Sequence, residues 1–284
     1  MLIVGPKNIK FPQGQRNTMD KKQIKKLAEN PNFIPGIYNY CDRWCERCPF
    51  TSRCMNFALS EKQFEDPETR DITNKAFWNK LSEMFRITLE MVKETAREQG
   101  IDLDSLDPQA ASDEHKIIRD TAGNHECSRA AKAYGEMLGN WFDSAKDIFE
   151  KKADDLSLKV RLELPNSSPA SEAADLKDSV DIIRWYQHFI YVKLVRAITG
   201  ILKEASQSPD EVPGDSDGSA KVALISIDRS IAAWGQMLKH FPQREDDILD
   251  ILVHLDRLRR KTETIFPDAR AFIRPGFDHK NQDS

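Results

Sequence analysis

The sequence predicts an all-α protein, an antiparallel bundle of four to five long helices with an irregular N-terminal lobe. Apolar residues recur at alternating steps of four and three over stretches of about 20 residues, the spacing of one helix face. Four of the five cysteines cluster between Cys41 and Cys54, in a segment without such a period. With 284 residues, of which 39% are hydrophobic, the chain can bury a core without cysteine staples.

The domain organisation expected from this pattern has two parts. Residues 1–60 form an N-terminal segment, with a tetra-cysteine metal lobe at about residues 31–60, and residues 61–284 form the helical bundle. Within the first part, residues 1–17 show no period, and a short helix should begin after Thr18 and end before Asn30 and Pro31.

The first long helix is expected over about residues 73–99, where Gly100 ends it. A main apolar stripe runs along it, and further large side chains widen that stripe. We therefore expect this helix to be buried on a broad face. The widening residues are Trp78, Phe85, Leu89 and Val92.

Asp107 and Pro108 predict the start of the next helix, because a carboxylate suits the N-cap and proline suits the first turn. A strict stripe from His125 to Ile148 predicts a further helix. Cys127 lies in that stripe and is predicted to be a buried core thiol.

Residues 156–164 alternate apolar and polar side chains over nine positions, which predicts one short strand. Its partner would be Leu2, Ile3 and Val4 or the same strand of a second subunit, so a homo-oligomer is an option. Extension of the preceding helix is the alternative interpretation.

A helix expected over about residues 171–206 places Asp181, Trp185 and His188 on one face. An acid and an imidazole that point inward need hydrogen-bond partners, so this face is a candidate bundle pocket, with Asp228 on the following helix. The alternative is that the same side chains are satisfied in the core or lie at the surface. Two last helices follow, with apolar seams over residues 220–241 and 248–265.

The cysteine spacing is C-x3-C-x2-C-x5-C, formed by Cys41, Cys45, Cys48 and Cys54. Four soft thiolates on one short segment can surround a Zn²⁺ ion or hold an iron–sulphur cluster. Structural zinc sites usually have two cysteine pairs held apart by a longer stretch, so the compact spacing favours iron–sulphur over zinc. Disulphides or free thiols remain the metal-free alternative.

Ten residues, from Cys45 through Pro49 to Cys54, resemble the C-x2-C-P-x4-C segments that hold iron–sulphur clusters in several unrelated enzymes. The spacing from Cys41 to Cys48 is also that of radical-SAM enzymes. Those enzymes use a β/α barrel and leave one iron open, whereas this chain is helical and has a fourth cysteine, so that activity is not expected.

The charge and hydropathy of the chain restrict the classes of partner and the cellular location that we expect. A net charge of −4 and a pI near 5.9 argue against nucleic acid as a partner. The chain has neither a signal-peptide pattern nor an apolar run of about 18 residues, so no membrane association and a cytoplasmic location are expected. In that reducing compartment, clustered cysteines favour metal binding over disulphides.

These observations lead to two functional hypotheses. The first is a redox-linked iron–sulphur protein whose four cysteines hold the cluster. The second is a protein-interaction scaffold without catalytic activity, in which zinc stabilises the cysteine lobe. The sequence does not decide whether the protein is an enzyme, and its protein or small-molecule partner is unknown. No histidine has glutamate three positions before it, which disfavours a ferritin-like di-iron site.

Overall fold

The computed structural model describes residues 20–105, 107–162, 168–204 and 215–278. Within these ranges the regular structure is entirely helical, which confirms the predicted all-α class. The unperiodic stretch expected at residues 1–17 lies outside the described residues.

Ten α-helices occur in the described part of the chain. Short 3₁₀ turns connect some of them. The helices are α1 (Lys21–Ala28), α2 (Met55–Gln63), α3 (Pro67–Arg70), α4 (Lys75–Glu98), α5 (Pro108–Asn124), α6 (Glu126–Ser144), α7 (Lys146–Arg161), α8 (Pro169–Glu204), α9 (Asp215–His240) and α10 (Glu245–Ile265).

Side-chain caps explain several helix starts. The Asp20 side chain accepts from the backbone N–H of Gln23, whose own side chain accepts from the N–H of Asp20, a reciprocal capping box before α1. At the start of α4, the Asn74 side chain accepts a hydrogen bond from the backbone N–H of Ala76. The Asp107 carboxylate accepts from the N–H of Gln109, as the sequence predicted for α5.

The described contacts group into two compact units. The smaller contains residues 20–33 and Thr51–Ser105, and therefore α1 to α4. Its contacts include the stacked rings of Phe64 and Phe77, 5.7 Å apart, and ion pairs from Lys21 and Lys25 to Glu94. The boundary expected at residue 60 falls inside this unit.

The broad buried face expected for α4 is not observed. The buried residues of α4 are Ile87 and Ala96, both less than a tenth exposed. Neither belongs to the predicted main stripe, whose members are half-buried or exposed, namely Phe77, Leu81, Met84, Thr88, Met91 and Thr95. The four residues expected to widen the stripe each expose more than half of their surface. They are Trp78, Phe85, Leu89 and Val92. The helix was therefore predicted correctly, but the burial of a broad face was wrong for both sets of residues.

The larger unit contains Ile34–Phe50 and the described residues after Ser105. Helix α8 lies at its centre and packs against α5, α6, α7 and most extensively α9, while α10 packs on α6 and α9. The core is rich in fully buried side chains, which include Trp234, Tyr134, Tyr186, Leu194, Leu224 and Leu255. Cys127 is fully buried in it, as predicted, and burial raises the pKa of its thiol.

The strand predicted at residues 156–164 was wrong where the structure describes it, because α7 continues to Arg161. Residues 163 and 164 lie outside the described part. Helix formation needs no partner strand, and it lets Lys159 pair with Asp155 one turn earlier and with Glu172 of α8. The alternating apolar residues then point to different sides of the helix, and Leu158 and Val160 are exposed.

Candidate functional site: the cysteine segment

Three of the four clustered cysteines lie in a segment of tight turns, Ile34–Phe50, which we call the cysteine segment. It contains two 3₁₀ turns, Ile37–Asn39 and Cys45–Arg47. Between them Arg43 has a φ of 60°, in the left-handed region that side chains with a Cβ seldom adopt.

The sulphur atoms take part in the turn structure. The thiol of Cys41 donates to the carbonyl of Tyr38 at 3.6 Å. The backbone N–H of Cys48 closes the second 3₁₀ turn on the carbonyl of Cys45 at 3.1 Å. The N–H of Phe50 then donates to Cys48 Sγ at 3.4 Å. A backbone N–H that points at a sulphur two residues earlier stabilises negative charge on that sulphur.

The fourth clustered cysteine belongs to the smaller unit. Cys54 is the N-cap residue of α2, and its backbone N–H donates to the carbonyl of Thr51 at 3.2 Å. All five cysteines lie in the described part of the chain and none forms a disulphide. The four clustered thiols are half-buried, whereas Cys127 is buried.

The structure does not show a metal site. Across the residues it describes, no group of three or more cysteine, histidine, aspartate or glutamate side chains is placed to hold a metal ion. The tetra-cysteine metal lobe, with Cys41, Cys45, Cys48 and Cys54 as ligands, therefore stays a prediction.

Aromatic contacts anchor the cysteine segment to α8. The indole rings of Trp44 and Trp185 stack with centroids 4.9 Å apart and an interplanar angle of 14°. The Trp185 indole N–H donates to the backbone carbonyl of Asp42 at 2.9 Å. The guanidinium group of Arg47 lies over the Trp44 ring, with its central carbon 3.9 Å from the ring centroid. Stacking and a directed hydrogen bond together fix the segment before its second 3₁₀ turn.

A polar triad adds a second anchor. Tyr186 of α8 donates its hydroxyl hydrogen to Asp42 Oδ2 at 2.7 Å, and Arg229 of α9 donates to the same oxygen at 2.7 Å. Arg229 also donates to the Tyr186 hydroxyl at 2.6 Å. Burial raises the pKa of Tyr186, so the phenol stays protonated and remains a donor. The carboxylate thus ties the segment to two helices at once.

Two cations of α8 meet at one backbone carbonyl of the segment. Lys193 Nζ donates to the carbonyl of Asn39 at 3.2 Å, and Arg196 donates to it at 3.4 Å. Arg196 also pairs with Asp215 at the start of α9. Lys193 is only 5% exposed, and burial lowers its pKa to about 8. Cationic side chains therefore reach the chain two residues before Cys41.

Aromatic residues near the end of the described chain also pack on the cysteine segment. Tyr40 and Phe272 lie 4.7 Å apart, and Phe50 and Phe277 meet edge to face at 5.0 Å. The Tyr40 ring also fits against Gly218 of α9 so closely that a Cβ there would lie 2.2 Å from it. This position requires glycine because the backbone of α9 itself forms part of the contact surface.

The candidate pocket residues of α8 do not come together as expected. Asp181 is half-exposed and pairs with Arg47 and with Lys177 one turn earlier. His188 is exposed, so the inward imidazole expected from the sequence was wrong. Trp185 is half-buried, and its partner is the cysteine segment.

Asp228 has other partners as well. Its carboxylate receives Arg270 at 2.6 Å and lies 3.7 Å from Arg259 of α10. Neither Asp181 nor His188 is among these partners. A pocket formed by the four residues therefore stays a prediction, and the described contacts of Asp228 and Asp181 are ion pairs.

Sequence analysis missed the residues that hold the cysteine segment, namely Asp42, Tyr186, Lys193 and Arg229. One signal was present. Lys193 lies three residues after Ile190 and four before Ala197, both fully buried, which places a lysine on the core-facing side of α8. A charged residue at a core position indicates a specific partner.

Comparisons with known proteins identify no relative. No protein-family model, no curated protein and no solved structure matches this chain. In the described part, none of the helices has the length and apolar character needed to cross a membrane.

Proposed function

We propose that Cys41, Cys45 and Cys48 are ligands of a metal centre, with Cys54 as the fourth, and that the centre is a redox-linked iron–sulphur cluster. The observation that carries the proposal is the N–H···S hydrogen bond from Phe50 to Cys48, which follows a 3₁₀ turn begun at Cys45. Hydrogen bonds to ligand sulphurs stabilise their thiolate form and tune the reduction potential of such clusters.

The surroundings of the segment support this proposal. Trp185, Tyr186 and Arg229 attach it to α8 and α9, so its backbone has a rigid base. If the bundle is antiparallel, as expected, α8 and α9 would together form one continuous surface that supports the cysteine segment. A cluster on such a base could exchange electrons with little rearrangement of the backbone, because the anchors hold the ligand-bearing turns whichever charge the cluster has.

Metal binding would require the thiols to converge from their described positions. The side chains of Cys41, Cys45 and Cys48 are half-exposed on turns, so rotation about χ1 can redirect each sulphur. Coupling of metal binding to local ordering is usual for cysteine sites, since the ligands repel one another as thiolates until the cation is present. A reducing, cytoplasmic location would keep these thiols available.

Zinc is the alternative occupant. The same thiol donors and the same turn suit a tetrahedral Zn²⁺ ion, which would order the segment without supplying redox chemistry. The protein would then be a zinc-stabilised interaction scaffold. An iron–sulphur cluster would supply one-electron transfer instead.

The test is purification of the full chain under anaerobic conditions, followed by elemental analysis and visible absorption. We expect a brown protein with iron and sulphide. A colourless protein with one zinc per chain would replace the first function by the second. A wild-type protein that binds neither metal, even after reconstitution, would contradict the proposal.

Individual variants then assign the ligands. Cys41→Ser, Cys45→Ser, Cys48→Ser and Cys54→Ser should each lower the metal content, because one thiolate is lost. Cys127→Ala is the matched control, since that thiol lies in the helical core, and it should retain the metal. Full metal content in any one serine variant would remove that residue from the site.

A further inference from the structure

Cys45 and Cys48 are two thiols on the same tight turn. The backbone N–H of Cys48 donates to the carbonyl of Cys45 at 3.1 Å, which closes the 3₁₀ turn Cys45–Arg47. In such a turn, side chains three residues apart eclipse, and the rise of about 2 Å per residue separates their Cα atoms by about 6 Å. A disulphide usually bridges Cα atoms about 4.4–6.8 Å apart, so this turn holds the two cysteines within bridging range.

Local contacts restrain Cys48 further. It precedes Pro49, and its φ of −87° and ψ of 123° correspond to the extended conformation that a following proline favours. The N–H of Phe50 donates to Cys48 Sγ at 3.4 Å and so directs the side chain. Because backbone and side chain are both restrained before a bond forms, closing a disulphide here costs little conformational freedom.

The residues immediately before the two cysteines both bind α8. Trp44 stacks on Trp185, with ring centroids 4.9 Å apart, and Arg47 pairs with Asp178 at 2.5 Å. Neither contact involves a sulphur atom. A bond between the two sulphurs can therefore form and break while the turn stays attached to the helix.

The other cysteines of the described chain are placed differently. Cys41 shares no described backbone hydrogen bond with another cysteine, and Cys54 is the N-cap residue of α2 in the smaller unit. Cys127 is fully buried in the core. Cys45 and Cys48 are half-buried, so small molecules can reach them, and a backbone hydrogen bond joins them to each other. The geometry therefore singles out this pair.

We propose that Cys45 and Cys48 form a redox-active dithiol that exchanges reversibly with low-molecular-weight disulphides such as oxidised glutathione. The thiolate of one cysteine attacks the small disulphide, the S–S bond of that disulphide breaks, and one small thiol leaves. The second cysteine then attacks the mixed disulphide and releases the other small thiol. The two protein thiols thus lose two electrons and two protons, and the small disulphide gains them as two thiols.

This inference does not require a bound metal, because two thiols and one turn define the dithiol. It also adds a constraint on the proposed function. Closing the disulphide would withdraw two of the four ligands of the proposed metal centre, so one molecule can use these thiols for only one purpose at a time.

The test oxidises the full-length protein, first reduced and freed of metal by a chelator, in anaerobic mixtures of reduced and oxidised glutathione. Alkylation then traps the remaining thiols. Trypsin places each clustered cysteine on a separate peptide, because it cleaves after Arg43, Arg47 and Arg53. We expect mass spectrometry to detect peptide 44–47 linked to peptide 48–53, and the link to disappear when reduced glutathione is restored.

Serine variants assign the link. Cys45→Ser and Cys48→Ser should each abolish it. Cys54→Ser is the matched control, because it removes another half-buried thiol of the cluster from the smaller unit. In that variant the link should form as in the wild type.

Repeating the titration in urea measures the contribution of the turn. The equilibrium constant for closing the disulphide should be at least about tenfold higher in the native protein than in the unfolded chain, because the native turn already holds the two thiols within range. Equal constants would show that the short chain distance alone makes the pair, and would overturn the role assigned to the turn.

The outcomes separate this inference from the proposed function. A comparable yield of a disulphide at Cys41 or Cys54, or a mixed disulphide with glutathione that never closes, would overturn the dithiol. A wild type that binds metal but does not form the link once the metal is removed would overturn the dithiol and leave the proposed function standing. A protein that forms the link but binds no metal after reduction would support the dithiol and overturn the proposed function.

Discussion

The two compact units form helices by the same amphipathic pattern, yet they bury very different amounts of it. Among the residues of the smaller unit whose burial the structure describes, only Gln63, Ile87 and Ala96 are buried. In the larger unit nearly thirty apolar residues form one core around α8, and large side chains such as Trp234 and Tyr134 are completely covered. The smaller unit instead exposes Phe85 and other large apolar residues along α4.

This difference shows that a helical period and the burial of its apolar face are separate properties. The period fixes which side chains share a face, whereas burial needs a second element to cover that face. Helices α8 and α9 cover each other along much of their length. The second apolar face of α4 has no such cover in the described structure. The following predictions test this comparison, from the largest expected effect to the smallest.

Trp234→Ala should give the largest loss of stability. Its indole is fully buried, meets Trp141 edge to face at 5.0 Å and donates to the Tyr134 hydroxyl at 3.3 Å. Removing a buried aromatic ring from a packed core lowers the free energy of unfolding by about 3–5 kcal/mol. Urea unfolding followed by circular dichroism measures it. A loss below about 1 kcal/mol would mean that the core collapses around the site.

Gly218→Ala should lower the free energy of unfolding by about 1–3 kcal/mol, because the new methyl group would overlap the Tyr40 and Phe272 rings. The same substitution at Gly235, in the same helix, is the control. A Cβ there meets no atom within 4 Å, so Gly235→Ala should stabilise the protein by about 0.4–1 kcal/mol. Equal effects of the two variants would contradict the tight packing of the cysteine segment on α9.

The larger unit should also contribute pH dependence near neutrality, through His240. Burial, followed by the positive charge of Lys152, lowers its pKa from the ordinary value of 6.5. The unfolded chain therefore binds the proton more readily than the native state. This contribution to stability is complete above about pH 6.5 and is lost as the pH falls from there through the lower native-state pKa.

His240→Gln should remove that contribution. We expect the loss of stability between pH 7.5 and 5.5 to be smaller in the variant than in the wild type, by urea unfolding at each pH. Identical pH profiles would show that the imidazole is solvated equally in both states.

Phe85→Ala should have the smallest effect. The ring is 67% exposed on α4, so its removal leaves no cavity, and the free energy of unfolding should change by no more than about 0.5 kcal/mol. A loss of 2 kcal/mol or more would show that the outer face of α4 is covered in solution and would narrow the contrast between the two units. Trp234→Ala provides the reference for a covered aromatic ring.

Much of the candidate site could be located from the sequence, but not its support. The clustering of Cys41, Cys45 and Cys48 is a matter of chain distance and needed no structure. The contacts of the neighbouring Asp42 with Tyr186 and Arg229 could not be read from the sequence, since those two residues follow more than 130 positions later. A buried tyrosine and a partly exposed arginine have many ordinary roles, and only their meeting at one carboxylate distinguishes them.

The sequence by itself determined the all-α class, the approximate bounds of α1, α4, α8 and α10, and the burial of Cys127, because helical periodicity, caps and breakers act over a few neighbouring residues. It did not determine whether residues 156–161 are strand or helix, since an alternating pattern forms a strand only when another strand pairs with it. Likewise, the burial of the apolar residues of α4 and the hydrogen-bond partner of Lys193 depended on which elements met. Tertiary structure decided these points because burial and charge pairing are properties of contacts between distant parts of the chain.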